Sequence, residues 1–171
     1  MPIVPTLFTR RRLLVGGAAV TALPAAAGLT AWSWWTEPPS AGLRYLSEAE
    51  VRFLDALAAA AWPGGTLPGG GAVGVPAYID ELMAGFTEVQ GHLLRLSMHA
   101  FEQLPRATTG RAFSALHPEE GTKFVEDWLG SPSAELRGAA VSLVLFCGMA
   151  WTSHPAVAPS LDPYFWCGYG R

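Results

Sequence analysis

Hydrophobic residues recur at helical spacing through most of the chain beyond Leu46, and no segment shows the strict alternation typical of a half-buried strand. The first periodic segment begins at a capping box, in which Ser47 and Glu50 satisfy each other's backbone N–H groups, with Leu46 and Val51 placed as a hydrophobic staple. It ends at Pro63, which has no N–H to continue a helix. The pattern therefore predicts a helix between Ser47 and Pro63.

Two further helices are predicted in the middle of the chain, each with an apolar stripe directed at a common core. The first stripe consists of Tyr78, Ile79, Leu82, Met83 and Phe86. The second ends before Pro105 and consists of Leu93, Leu94, Leu96, Met98, Phe101 and Leu104. Residues 63–76, which precede both, are rich in glycine and proline and are expected to form a long surface loop.

The last third of the chain predicts two helices and an irregular end. Pro118 at the first position and Gly130 at the end delimit one helix. The next is expected to begin with Ser131 as N-cap and Pro132 as its first residue, and to run to about Trp151. Because it has no polar face, it is predicted to be the central buried helix. The fold class is all-α, a compact bundle of about five or six helices followed by an irregular, aromatic C-terminal tail.

The N-terminal region carries an export motif. The letters "TRRRLL", from Thr9, resemble a twin-arginine signal, in which two arginines precede one variable residue and two apolar residues. The motif residues are Arg10, Arg11, Leu13 and Leu14. A weakly hydrophobic segment follows, and Ala25 and Ala27 form the small-residue pattern of a cleavage site before Gly28. We expect residues 1–27 to be a twin-arginine signal and the protein to be exported, to the periplasm or the outer face of the cytoplasmic membrane.

The same region also fits a retained membrane anchor. Residues 13–35 contain no charge, and 23 helical residues span about 34 Å, enough to cross a bilayer. Trp32, Trp34 and Trp35 lie where an interfacial aromatic belt would be expected. The sequence leaves cleavage and retention open. In either case residues 28–45 are expected to be a linker, and residues 46–171 the helical domain.

The charge distribution argues against nucleic-acid binding. The formal net charge is −3, and three of the eleven basic residues are Arg10, Arg11 and Arg12, whereas all fourteen acidic residues lie at Glu37 or later. The body of the protein is therefore acidic and has no basic stripe that could neutralise phosphates.

The titratable residues form no recognisable catalytic or metal-binding motif. His92 and His99 are seven residues apart, whereas metal-binding pairs on a helix usually lie four apart. The acidic pairs are expected on solvated helix faces; they are Asp80–Glu81, Glu119–Glu120 and Glu126–Asp127. No G-x-S-x-G motif is present. The sequence predicts no enzyme and no cofactor of its own; the alternative is a stand-alone exported or membrane-anchored protein with a metal or enzymatic site built on His92, His99 or His154.

Two features of the C-terminal third have two readings each. In an exported protein Cys147 and Cys167 could form a disulfide, and otherwise they are two buried thiols. The aromatic residues near the C-terminus either seal the domain's own core or form a partner interface; they are Trp151, Tyr164, Phe165, Trp166 and Tyr169.

The order of segments resembles the gluconate 2-dehydrogenase subunit 3 family. The relevant stretches are "LSEAEVRFLDALAAAAWPGG", where the family has a helix ending in a proline turn, and "GGGAVGVPAYIDELM", like its Gly-rich loop and following helix. They are followed by "GRAFSALHPEE" and by a closing "SHP" and "GYG". The resemblance runs from about Leu46 to Gly170, in addition to the signal.

This resemblance implies a non-catalytic small subunit. The family's catalytic partner is an FAD-dependent dehydrogenase of the glucose-methanol-choline type, which folds around FAD in the cytoplasm and is carried through the twin-arginine translocase bound to the small subunit. A multihaem cytochrome c often receives the electrons. Gluconate-type members have a Gly-Gly-Asn stretch near the C-terminus where this chain has "PSLDPYFWCGYG", so gluconate is not the expected substrate.

Overall fold

The computed structural model describes residues 37–161. Residues 38–161 belong to one compact unit. Several predictions concern residues outside the described range: the export motif, the cleavage site, the anchor, Cys167 and the aromatic residues Tyr164, Phe165, Trp166 and Tyr169.

The described residues form an all-α fold, as the sequence predicts. The helices are α1 (Glu48–Ala61), α2 (Val75–Met83), α3 (Glu88–Gln103), α4 (Arg106–Thr109), α5 (Pro118–Leu129), α6 (Ala134–Ser153) and α7 (Ala158–Leu161). Short 3-10 turns lie at Gly70–Ala72 and Phe113–Ala115. An isolated antiparallel bridge joins Pro39 to Ser47.

Helix α1 begins at the predicted capping box. The N–H of Ser47 donates to Oε2 of Glu50 at 2.7 Å, and the N–H of Glu50 donates to the Ser47 hydroxyl at 3.5 Å. The helix ends at Ala61, and the C-cap residue Trp62, just before Pro63, donates its N–H to the carbonyl of Ala58. The local start and stop signals therefore fix this helix.

Helix α1 is the central element of the described fold. It contacts α2, α3, α5 and α6, and its side chains Phe53, Leu54 and Leu57 are almost fully buried. Helix α5 approaches it closely at Gly121, where an added Cβ would lie 3.3 Å from the Cβ of Ala60. The core is therefore built around the helix that carries the capping box.

The prediction that the last long helix is the central buried helix is wrong. Helix α6 buries Leu143 and Cys147 but leaves Val141, Leu145 and Met149 exposed. An apolar helix without a polar face gives no indication of which side packs inward, because its neighbours decide that. The predicted N-cap is also wrong: Ser133 caps α6 by accepting from the N–H of Leu136, whereas the Ser131 carbonyl accepts a hydrogen bond from Arg137.

The Gly/Pro-rich loop is anchored to α1 and α6. The indole N–H of Trp151 donates to the carbonyl of Pro68 at 2.8 Å, and its ring stacks on Trp62 with centroids 5.7 Å apart. Gly70 lies so close to α1 that an added Cβ would be 2.1 Å from the carbonyl oxygen of Ala58. The loop thus packs on the bundle, and a glycine at position 70 is required for that approach.

Candidate functional site

Two neighbouring helices each present a stripe of exposed apolar side chains. On α3 these are Val89, Leu93 and Leu96, spaced four and three residues apart, and on α6 they are Val141, Leu145 and Met149, spaced four apart. This spacing places each set on one helix face. The six side chains are between 38 % and 66 % exposed. We call them the α3–α6 surface.

A groove of about 410 Å³ lies between α3 and α6, and two residues of the α3–α6 surface, Leu93 and Met149, line it. Helices α3 and α6 form most of it, and the end of α2 with the following turn closes one side; the lining residues are Leu82, Phe86, Gln90, Leu93, Leu94, Ser97, Ala139, Ser142, Leu143, Phe146 and Met149. The rings of Phe86 and Phe146 lie 6.0 Å apart. None of the lining residues carries a charge, which is the composition found in the centre of protein–protein interfaces.

Such a surface is unfavourable in water. Exposed apolar area costs roughly 25 cal/mol per Å², so burying these side chains against a partner would be favourable. Helix α6 is also long and apolar enough to span a bilayer by length and composition alone. It nevertheless contributes Leu143 and Cys147 to the helical core, as a helix of a folded domain does.

A buried polar cluster lies on the other side of α3. Oε1 of Glu50 accepts a hydrogen bond from Nε of Arg95 at 2.6 Å and lies 3.0 Å from Nε2 of His99. Burial of Glu50 alone would raise its pKa, but the hydrogen bonds from His99, Arg95 and the Ser47 N–H outweigh burial, so the pKa is lowered. Glu50 is therefore ionised at neutral pH and ties α3 to the start of α1.

The histidines considered for a metal or enzymatic site are not brought together. His99 is buried against Glu50, and His92 lies at a separate pocket of about 270 Å³ that Arg95 also lines. Nδ1 of His154 accepts from the N–H of Ala156 at 3.2 Å, beyond the end of α6. Among residues 37–161, no group of three or more His, Cys, Asp or Glu side chains is arranged to hold a metal ion.

Asp80 is the clearest residue that the sequence analysis misjudged. It is buried, and its carboxylate accepts hydrogen bonds from the backbone N–H groups of Arg44, Tyr45 and Leu46 at 2.8–3.0 Å. The prediction of a solvated face holds for its exposed neighbour Glu81 but is wrong for Asp80. Asp80 holds the segment that leads into α1, so the described fold includes residues before position 46.

The acidic pairs on α5 lie as expected. Glu119, Glu126 and Asp127 are exposed. Glu120 binds the guanidinium of Arg111 through both carboxylate oxygens, at 2.8 and 2.9 Å. These carboxylates lie on the solvated side of the helix.

The remaining candidate residues are the two cysteines and the aromatic residues near the C-terminus. Cys147 is a free, fully buried thiol, and burial raises its pKa to about 12, so its reactive thiolate is scarce. Its predicted disulfide partner, Cys167, lies outside the described residues. Trp151 is half-buried and stacks on Trp62, so of the five aromatic residues considered for an interface, this one packs within the domain.

Comparison with known proteins gives one match. No curated protein and no solved structure matches the chain. A sequence model of the family described as gluconate 2-dehydrogenase subunit 3 matches residues 48–151, from the start of α1 to near the end of α6. This match covers more than half of the chain and reaches every long helix among residues 37–161, and the protein therefore belongs to the gluconate 2-dehydrogenase subunit 3 family.

Proposed function

We propose that this protein is a non-catalytic small subunit that binds and stabilises a folded, FAD-dependent dehydrogenase of the glucose-methanol-choline type. The family match over residues 48–151 carries the proposal, because the family consists of subunits of a dehydrogenase complex. The uncharged α3–α6 surface supports it, since a subunit needs an apolar area to bury against its partner. On this proposal FAD binds to the catalytic subunit.

The proposal includes escort of the catalytic subunit through the twin-arginine translocase. Its support is the motif formed by Arg10, Arg11, Leu13 and Leu14, because this route carries cargo that is already folded around its cofactor. After export the complex would lie in the periplasm or on the outer face of the cytoplasmic membrane. Cleavage after Ala27 would release it, and retention would leave residues 13–35 as an anchor. A multihaem cytochrome c is the proposed electron acceptor.

The test is the location of the catalytic subunit in cells that express variants of the export motif. In the double variant Arg10→Lys, Arg11→Lys, the flavoprotein should remain in the cytoplasm with its FAD bound. Arg12→Lys is the matched control, because position 12 is the variable position of the motif, and it should leave export unchanged. Equal export of the flavoprotein in the double variant would refute the escort function.

A further inference from the structure

We propose that the α3–α6 surface is the docking site for the catalytic subunit and that the groove receives the apolar face of a helix of that subunit. This inference rests on the proposed function and adds the surface through which it operates. The surface contains six of the eight large hydrophobic residues that are exposed in the described part of the chain, the other two being Tyr45 and Leu104. Exposed apolar side chains are thus concentrated on these two helices, which meet at the groove through Leu93 and Met149.

The chemistry of the groove specifies an uncharged, apolar occupant. Its polar lining side chains are the neutral Gln90, Ser97 and Ser142, and the others are aliphatic or aromatic. The acidic residues that dominate the body therefore do not enter it. A long groove between two helices fits an amphipathic helix, which inserts side chains spaced three and four residues apart.

The surface is too small to form a stable interface by itself, and the family match makes the larger catalytic subunit, rather than a second copy of this chain, the proposed partner. Its apolar stripes extend eight residues at most, about 12 Å, and two adjacent helices are about 20 Å wide, which gives roughly 250 Å² on each side. A symmetric dimer through this surface would bury roughly 500 Å² in total, well below the roughly 1,200 Å² of a stable interface. The surface can therefore serve as the apolar centre of an interface that continues onto other parts of a large subunit.

The test places a carboxylate on the α3–α6 surface, at the groove-lining Leu93 or at the exposed Leu145 of α6, and measures the flavoprotein that co-purifies with the tagged, full-length chain. Leu93→Glu and Leu145→Glu replace exposed side chains, so the core of the domain stays intact. Each should reduce the FAD recovered per chain at least tenfold, because docking would bury an unpaired charge. Ala107→Glu is the matched control, since it adds the same group on α4, which contributes nothing to the groove, and its FAD content should equal that of the unaltered chain.

A photocrosslinker at the same surface identifies the occupant directly. Benzoylphenylalanine in place of Leu145 should crosslink to the catalytic subunit in the intact complex, and in place of Ala107 it should not. Crosslinking to a second copy of this chain, to residues 162–171 or to lipid would overturn the assignment. Unchanged FAD content in both Glu variants would overturn the docking site while leaving the proposed function standing, whereas no flavoprotein with the unaltered chain would overturn both.

Discussion

Oε1 of Glu50 and Nε2 of His99 lie 3.0 Å apart in the interior of the protein, although 49 residues separate them in sequence. The same carboxylate oxygen accepts from Arg95, and the other oxygen accepts from the N–H of Ser47. Glu50 therefore completes the capping box at the start of α1 and also connects α1 to α3. Within residues 37–161 no buried side-chain nitrogen or oxygen lacks a hydrogen-bond partner.

Replacing Glu50 should destabilise the fold strongly. Glu50→Gln keeps the size of the side chain but removes the charge that compensates Arg95, and we expect the free energy of unfolding to fall by about 3 kcal/mol. Glu48→Gln is the control, because Glu48 is exposed and its 3.7 Å ion pair with Arg52 lies on the helix surface, where such pairs contribute less than about 1 kcal/mol. Urea unfolding measures the free energy of unfolding of the two variants. Equal decreases in that free energy would contradict a special role for Glu50.

The lowered pKa of Glu50 predicts a loss of stability in acid. Its pKa is lower in the folded than in the unfolded protein, so the unfolded state binds more protons and folding becomes less favourable as the pH falls. The stabilisation by ionised Glu50 is complete above about pH 4.3, the ordinary pKa of a glutamate side chain. It is lost as the pH falls through the pKa that Glu50 has in the folded protein. The unfolding free energy of the unaltered protein should drop more steeply below pH 5 than that of Glu50→Gln. Parallel curves would show that Glu50 is not responsible.

Asp55 should affect the free energy of unfolding in the opposite direction from Glu50. Burial, and secondarily the charge of Glu48, raise its pKa, so its ionised form opposes folding at neutral pH. Asp55→Asn should therefore raise the free energy of unfolding at pH 7, by less than about 1 kcal/mol because the side chain is only partly buried. The gain should disappear in acid, where Asp55 is itself protonated. A destabilised Asp55→Asn variant at pH 7 would contradict this assignment.

Asp80 should be essential for ordering the segment before α1. Asp80→Ala leaves three backbone N–H groups without their acceptor, including the buried N–H of Leu46, and should cost about 3 kcal/mol. Hydrogen exchange should accelerate at the amides of residues 44–46. The exposed neighbour provides the control, and Glu81→Ala should leave both stability and exchange near their original values. Unchanged protection of those amides in Asp80→Ala would refute the role of its carboxylate.

Two glycine-to-alanine substitutions should have opposite effects. Gly70→Ala places a Cβ 2.1 Å from the carbonyl oxygen of Ala58, so the loop must move away from α1 and stability should fall by at least about 2 kcal/mol. At Gly138, inside α6, an added Cβ meets no atom within 4 Å, and Gly138→Ala should stabilise the protein by about 0.5–1 kcal/mol. Thermal unfolding distinguishes the two, and a neutral Gly70→Ala would contradict the close approach.

The features that sequence reasoning predicted correctly are those set by neighbouring residues. The capping box of Ser47 and Glu50, the start of α5 at Pro118 and the ends of the long helices depend on a few consecutive positions. The direction in which α6 packs depends on tertiary neighbours, and its composition contains no signal for it. For Asp80 a signal existed: it lies four residues after Pro76 and three before Met83, both buried, and therefore on the inner face of α2.

The candidate site was predicted only in part. The sequence left open whether the aromatic residues near the C-terminus seal the core or form an interface, and Trp151 follows the first of these, since it stacks on Trp62 inside the domain. The apolar residues of α3 were identified as a single core stripe, yet Leu94 and Met98 are buried whereas Leu93 and Leu96 are exposed. The apolar stripe of α3 is broader than packing against the core requires. That width was the signal in the sequence for a second contact, outside the domain.

The central claim is that this chain functions as a subunit bound to a flavin-dependent dehydrogenase. The most direct measurement is the molar ratio of FAD to tagged, full-length chain after purification from the exported fraction, by flavin absorbance and native mass spectrometry. We expect one FAD per chain, carried by a second polypeptide that is lost together with the flavin when the complex is dissociated. A colourless preparation of this chain alone would contradict it.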